Sequence, residues 1–210
     1  YGDHRDLHSF LHDALPIFLF SLVFLLLLGG LQTNAQISIN SLGAQPTQDF
    51  NSLASTGTSN AIGTLPTGWT FVEAGSGANT TYAASTGSDN AGNTYSYGAA
   101  SNSERALGGL QSGSVTPTIG VVYTNNTGVT IGSLSISYTG EQWRLGATGR
   151  NDRLDFQYSI NNSSISSGSF TNFDALDFIA PVSTGTTGAL NGNANTAAVS
   201  ATITGLSILP

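Results

Sequence analysis

The residues best suited to chemistry stand together in Glu141-Gln142-Trp143-Arg144. A Trp ring can stack on a pyranose while carboxylate and amide groups fix its hydroxyls, so the tetrapeptide has the parts of a sugar-binding surface. The preceding run sets the phase. In Ser133-Leu-Ser-Ile-Ser-Tyr138 polar and apolar residues alternate, and the same alternation carried forward puts Glu141 and Trp143 on the wet face. Asp155 and Gln157 occupy the corresponding face of Arg153 to Ile160, so Glu141, Trp143, Asp155 and Gln157 are the candidate glycan-binding residues. A second reading stays open beside it. A bulge at Gly140 reverses the phase, buries Trp143 as core and leaves Glu141 to pair with Arg144 or Arg153. The usual burial of Trp weighs toward that second reading.

Gly87-Ser-Asp-Asn-Ala-Gly-Asn93 offers oxygen ligands of the kind hard cations take, which makes Asp89, Asn90 and Asn93 candidate ligands for calcium. It lacks the charge and the closing Glu of an EF-hand loop, and a plain solvated turn is the competing reading. No other cofactor is expected.

Catalytic chemistry has little to work with. All three His lie within residues 1–12, and the chain has no Cys, so His-assisted Ser or Cys nucleophiles and thiolate metal sites are excluded beyond that point. Glu73, Glu104, Glu141, Asp155, Asp174 and Asp177 are the carboxylates a two-acid glycosidase would draw on. The pattern of two Glu bracketing an Asp along one strand is absent, so no catalytic residue is assigned. Glu104-Arg105 reads as Arg105 entering a sheet as a hydrogen-bond donor, and Asp174 and Asp177 as caps of a turn.

The chain has 210 residues, 12 acidic against 5 basic, and a net charge of −7. Every basic residue is Arg, and none cluster, which excludes the basic patch a nucleic-acid surface requires. The first residue is not Met, and the chain reads as a fragment open at both ends. Residues 17–35 read as a signal peptide: an apolar helical run from Ile17, too short to span a bilayer, then small residues at Thr33 and Ala35 suited to cleavage after Ala35. Residues 1–16 are acidic where a signal n-region is basic, and LHDALPI resembles a translated sequencing-adapter remnant. The expected product is therefore exported, extracellular or at the cell surface. It would meet the membrane only through the signal peptide before cleavage.

Residues 36–48 read as a linker and 49–210 as one β domain, in which short strands recur between Gly, Asn and Ser turns. Expected strands include Gly68 to Glu73, Thr94 to Gly98, Ala106 to Gln111, Thr118 to Tyr123, Phe170 to Phe173 and Val199 to Leu206. Val129 to Thr139 and Arg153 to Ile160 are expected to form an antiparallel hairpin, with Leu154, Phe156, Tyr158 and Ile160 inward. Asn125-Asn-Thr-Gly128 marks a turn. The fold class is all-β, an antiparallel sandwich of jelly-roll or lectin-like type, incomplete at its C-terminal strands.

Asp49-Phe-Asn-Ser-Leu53, Leu65-Pro-Thr-Gly-Trp69, Ser103-Glu-Arg-Ala-Leu-Gly-Gly-Leu110, Thr124-Asn-Asn-Thr-Gly128 and Ser137-Tyr-Thr-Gly-Glu-Gln-Trp-Arg144 resemble a module of secreted bacterial proteins, particularly in Bacteroidetes. The resemblance covers about Asp49 to Pro210. It implies a lectin-like jelly roll that goes on through a further Trp-containing strand and an acidic strand, and it transfers no catalytic residues. Such modules often precede nuclease or phosphatase domains, lamin-tail-like domains or sorting signals. The expectation is a non-catalytic exported module that binds at the cell surface or outside the cell, with extracellular polysaccharide as partner. The alternative is an accessory domain of an extracellular hydrolase.

Overall fold

The computed structural model describes residues 36–210, so the expected leader and signal peptide lie outside the described residues. The described chain is all-β, with several antiparallel sheets and only single-turn 3₁₀ helices besides. The first strands are β1 (Ile37–Ile39), β2 (Asn60–Ala61), β3 (Trp69–Ala74), β4 (Thr81–Ser85), β5 (Asn93–Tyr97) and β6 (Ala106–Leu110). After them come β7 (Thr116–Val121), β8 (Tyr123–Asn125), β9 (Ile131–Glu141), β10 (Arg144–Leu145) and β11 (Arg153–Leu154). The last are β12 (Gln157–Tyr158), β13 (Thr171–Asn172), β14 (Phe178–Ile179), β15 (Gly188–Ala189) and β16 (Thr196–Ile208).

The longest ladder joins β9 to β16 in antiparallel register, from Thr196↔Glu141 to Thr204↔Ser133, with an irregularity before Ile208↔Ile131. Alternation explains it. Leu134, Ile136 and Tyr138 turn to one face with Val199, Ala201 and Ile203, and pack with Leu176 and Leu206. Ser133, Ser135, Ser137, Ser200, Thr202 and Thr204 stay exposed on the other. The expected hairpin between β9 and Arg153 to Ile160 is not formed. β16 matches the alternation of β9 over nine consecutive pairs, whereas 153–160 is broken into β11, paired with β14, and β12, paired with β13. Phe156, Tyr158 and Ile160 still reach the same core, but Leu154 is 50 % exposed, contrary to expectation.

The central sheet runs β2-β4-β5-β6, and both faces are covered. Tyr82 and Leu107 join Leu53 and Phe71 on one side, Phe71 being carried by β3, which pairs with β7. Ala83, Tyr95, Tyr97, Ala106 and Leu110 meet Trp143 on the other. Two pairings are parallel, β4 with β5 and β1 with β8, where the sequence reading expects antiparallel strands throughout. β1 also draws the expected linker into the fold: Ile37 N–H donates to the Val122 carbonyl and Asn126 N–H to that of Ile39. The turn after β8 is built on Asn125, which accepts from Thr127 and donates to the carbonyls of Val129 and Ile208.

Parallel strands normally need a dozen or more residues to reconnect. Between β4 and β5 there are seven, Thr86 to Gly92. They run back along the sheet from the end of β4 to the start of β5, so this loop cannot be a tight turn. It is pinned as it returns: Tyr95 Oη donates to the Ala91 carbonyl at 2.9 Å, and Arg144 Nη1 donates to that of Gly87 at 3.0 Å.

Candidate functional site

Trp143 is 5 % exposed. Its ring lies parallel to Tyr97 at 6.3 Å between centroids, and Gly192 sits against it so closely that an added Cβ would stand 2.2 Å from Nε1. The exposed stacking platform expected here is therefore not formed, and Trp143 is core. The phase does not change at Gly140, which remains in register opposite Ala197. It changes after β9 ends. The buried Gln142 side chain pairs with the backbone of Val182, its Nε2 donating at 2.9 Å and its Oε1 accepting at 2.8 Å. Glu141 takes neither Arg as partner. Its Oε2 accepts from Trp143 Nε1 at 2.7 Å. Burial holds the Glu141 carboxyl above its ordinary pKa; the Trp143 hydrogen bond opposes that rise and the charge of Glu104 adds to it.

Asp155 and Gln157 are exposed as expected, but they are not set beside Glu141 and Trp143. Because β9 pairs with β16, the four candidate residues share no ladder. Asp155 accepts from Arg153 Nε at 2.6 Å, and Gln157 donates to Asn172 at 2.6 Å.

The calcium candidates divide between two networks. Asp89 Oδ2 accepts from Ser85 Oγ at 2.6 Å. Asn93 Oδ1 accepts from Thr94 N–H at 2.9 Å and from Asn79 at 3.3 Å, while Asn90 is exposed. Among the described residues no group of three or more His, Cys, Asp or Glu is placed to hold a metal ion.

Glu73, Asp177 and Glu104 are engaged in hydrogen bonds. Glu73 is 8 % exposed and accepts four hydrogen bonds, from Thr94 N–H and Oγ1 on one oxygen and from Asn79 N–H and Nδ2 on the other. A buried carboxylate so saturated joins β3 to β5 without a cation. Asp177 accepts from Phe156 N–H at 2.7 Å with Arg153 Nη1 3.7 Å away, a bridge between segments where the sequence reading expects a turn cap. Asp174 makes no side-chain cap either. Glu104 accepts from Asn193 at 3.0 Å.

One end of the central sheet gathers what remains. β4 and β5 finish there and β6 begins, since Ser85 stands opposite Tyr97 and Tyr97 opposite Ala106. An open cleft of about 220 Å³ lies at this end, with Thr56, Ser85, Ser88, Asp89, Ala100 and Arg105 among its walls. Arg105 is the unusual member. It is 2 % exposed, and its hydrogen bonds go to neutral groups: Nε donates to Ser96 Oγ at 2.8 Å and Nη2 to the Ser96 carbonyl. Asn51 holds its backbone N–H at 3.0 Å, and Gly98 lies too close to Nη1 to carry a side chain. Desolvation lowers the guanidinium pKa, against the charge of Glu104 and the Tyr82 phenol. The donor role expected of Arg105 is present; its place in the cleft was not expected. Comparison with family models, curated proteins and solved structures finds no match for this chain.

Proposed function

We propose that the chain is an exported, non-catalytic β module that binds extracellular glycan in the cleft at the end of the central sheet. The observation that carries this reading is Arg105, buried, ion-paired with nothing among the described residues, and lining a hydroxyl-rich cleft with Asp89. Hydroxyl, carboxylate and guanidinium groups are the donors and acceptors that fix sugar hydroxyls, and hydrogen bonds from Tyr95 and Arg144 hold the 86–92 loop. The apolar run from Ile17 and the small residues at Thr33 and Ala35 support export. Engagement of Glu73, Glu104, Glu141 and Asp177 in structural hydrogen bonds supports a binding role over an acid–base one.

Affinity electrophoresis through gels loaded with different polysaccharides tests the reading. The chain is expected to be retarded by at least one of them. The Asp89→Asn variant, altered at an exposed position, is expected to run folded but less retarded. Equal mobility in every gel overturns it.

A further inference from the structure

β1 is held to the fold by its backbone and by a place shaped for it. Ile37 N–H donates to the Val122 carbonyl at 2.9 Å, and Asn126 N–H donates to that of Ile39 at 2.8 Å. Asn126 Nδ2 donates to Ser38 Oγ, and Thr124 Oγ1 to Gln36 Oε1. Gly68 leaves room for the Ile37 side chain, since a Cβ there would stand 2.6 Å from Ile37 Cγ1. Among the described residues β8 pairs with no other strand. Its edge is an acceptor that β1 fills.

The connection makes β1 separable. Residues 40–49 are all exposed, and their backbone makes one hydrogen bond, from Ala44 N–H to the Ser41 carbonyl within the segment itself. None of the three residues of β1 is fully buried, so few contacts oppose local opening. A segment of this length reaches about 33 Å when extended, which lets an opened β1 present itself to a neighbouring copy. There it meets the same backbone groups and the same space over Gly68, so exchange loses no contact. That fit to a segment the chain itself carries favours a second copy over a foreign strand.

We propose that β1 is an exchangeable arm that docks in parallel on β8 of a second copy of this chain and joins the two through that edge. The inference is independent of the cleft. Reciprocal exchange closes a two-fold dimer, whereas one-way exchange continues as a filament. The tethered arm competes at an effective concentration on the order of millimolar. Exchange is therefore a property of densely packed copies and is minor in dilute solution.

The chain has no Cys, which makes disulfide trapping a clean test. Ser38 and Thr124 stand opposite each other in the β1–β8 register, so Ser38→Cys and Thr124→Cys place two thiols for a bridge. A chain with the first substitution is mixed with a chain carrying the second, at concentrations rising to about 1 mM, and oxidised. The mixed disulfide is expected to exceed either symmetric product by more than the twofold that random collision gives, and its share is expected to rise with concentration. The chain with both substitutions, oxidised when dilute, is expected to bridge within itself. That internal bridge, with no excess of mixed product at any concentration, overturns the proposal. Absence of the internal bridge overturns it too, because β1 is then not docked on β8. Should either variant fail to fold, light scattering of the unaltered chain over the same range decides: a rising average mass is expected, and a monomer mass throughout overturns the exchange.

Discussion

Glu73 and Glu141 show two ways of keeping a carboxylate out of water, and they predict opposite responses to neutralisation. Glu73 is saturated, with four donors converging on two oxygens. Glu73→Gln retains one acceptor oxygen and turns an NH₂ toward donors, so it is expected to cost about 3 kcal/mol in urea unfolding. A loss below about 0.5 kcal/mol would show that the network is not structural. Glu141 has a single partner, Trp143 Nε1, and burial raises its pKa in the folded chain. A carboxyl raised in this way weakens the fold once pH exceeds the unfolded value, and the penalty is absent below it. Glu141→Gln keeps an acceptor for the indole and removes the charge. Its stability relative to the unaltered chain is therefore expected to rise as pH climbs from about 4 toward neutrality. Thermal melts across that range check the sign, and a relative loss with rising pH contradicts it.

At the scale of elements, the Glu141-Gln-Trp-Arg segment is packed where it is by what surrounds it. Gly87 has φ of 84°, and a Cβ there would stand 1.8 Å from the Trp143 carbonyl oxygen. Gly87→Ala must strain the loop and push β10 away. It is expected to cost about 2 kcal/mol or more, whereas Gly113→Ala, with open space around it, should change little. Equal effects of the two would mean that the contact of Gly87 with the Trp143 carbonyl does not hold the 86–92 loop in place. The β9–β16 ladder is expected to hold the slowest-exchanging amides, since it is the longest pairing and covers a core of its own. Hydrogen exchange slower in β11 to β14 than in β9 would contradict that. Alternation in Ser133 to Tyr138 was readable because one face is wet and the other dry. The partner strand was not, because alternation fixes which face a residue takes and not which strand lies beside it. The burial of Trp143 escaped strand phase for a related reason: Gln142 leaves the ladder and uses its side-chain amide as a substitute for backbone.

Over the whole molecule, the all-β class follows from short strands spaced by turn residues, and the chain's own motifs converge as they fold. Asn51 of the Asp49-Phe-Asn motif holds the backbone of Arg105, and Phe50 meets Trp69 edge to face at 4.7 Å. The cleft could not be read in advance. It is made by residues from Ser55 to Arg105 brought to one sheet end by a parallel β4–β5 pair, and nothing in a sequence of strand and turn signals announces a parallel pair with so short a return. Arg105 gave half a signal, as a charged residue read as entering a sheet to donate hydrogen bonds. The most direct test of the cleft is a backbone and Arg side-chain NMR titration of the chain with an oligosaccharide of the polysaccharide that retards it in gels. Shifts confined to Thr56, Ser85 to Asp89, Ala100 and the Arg105 guanidinium are the predicted result. Shifts centred on Asp155 and Gln157, or none at saturating ligand, would contradict it.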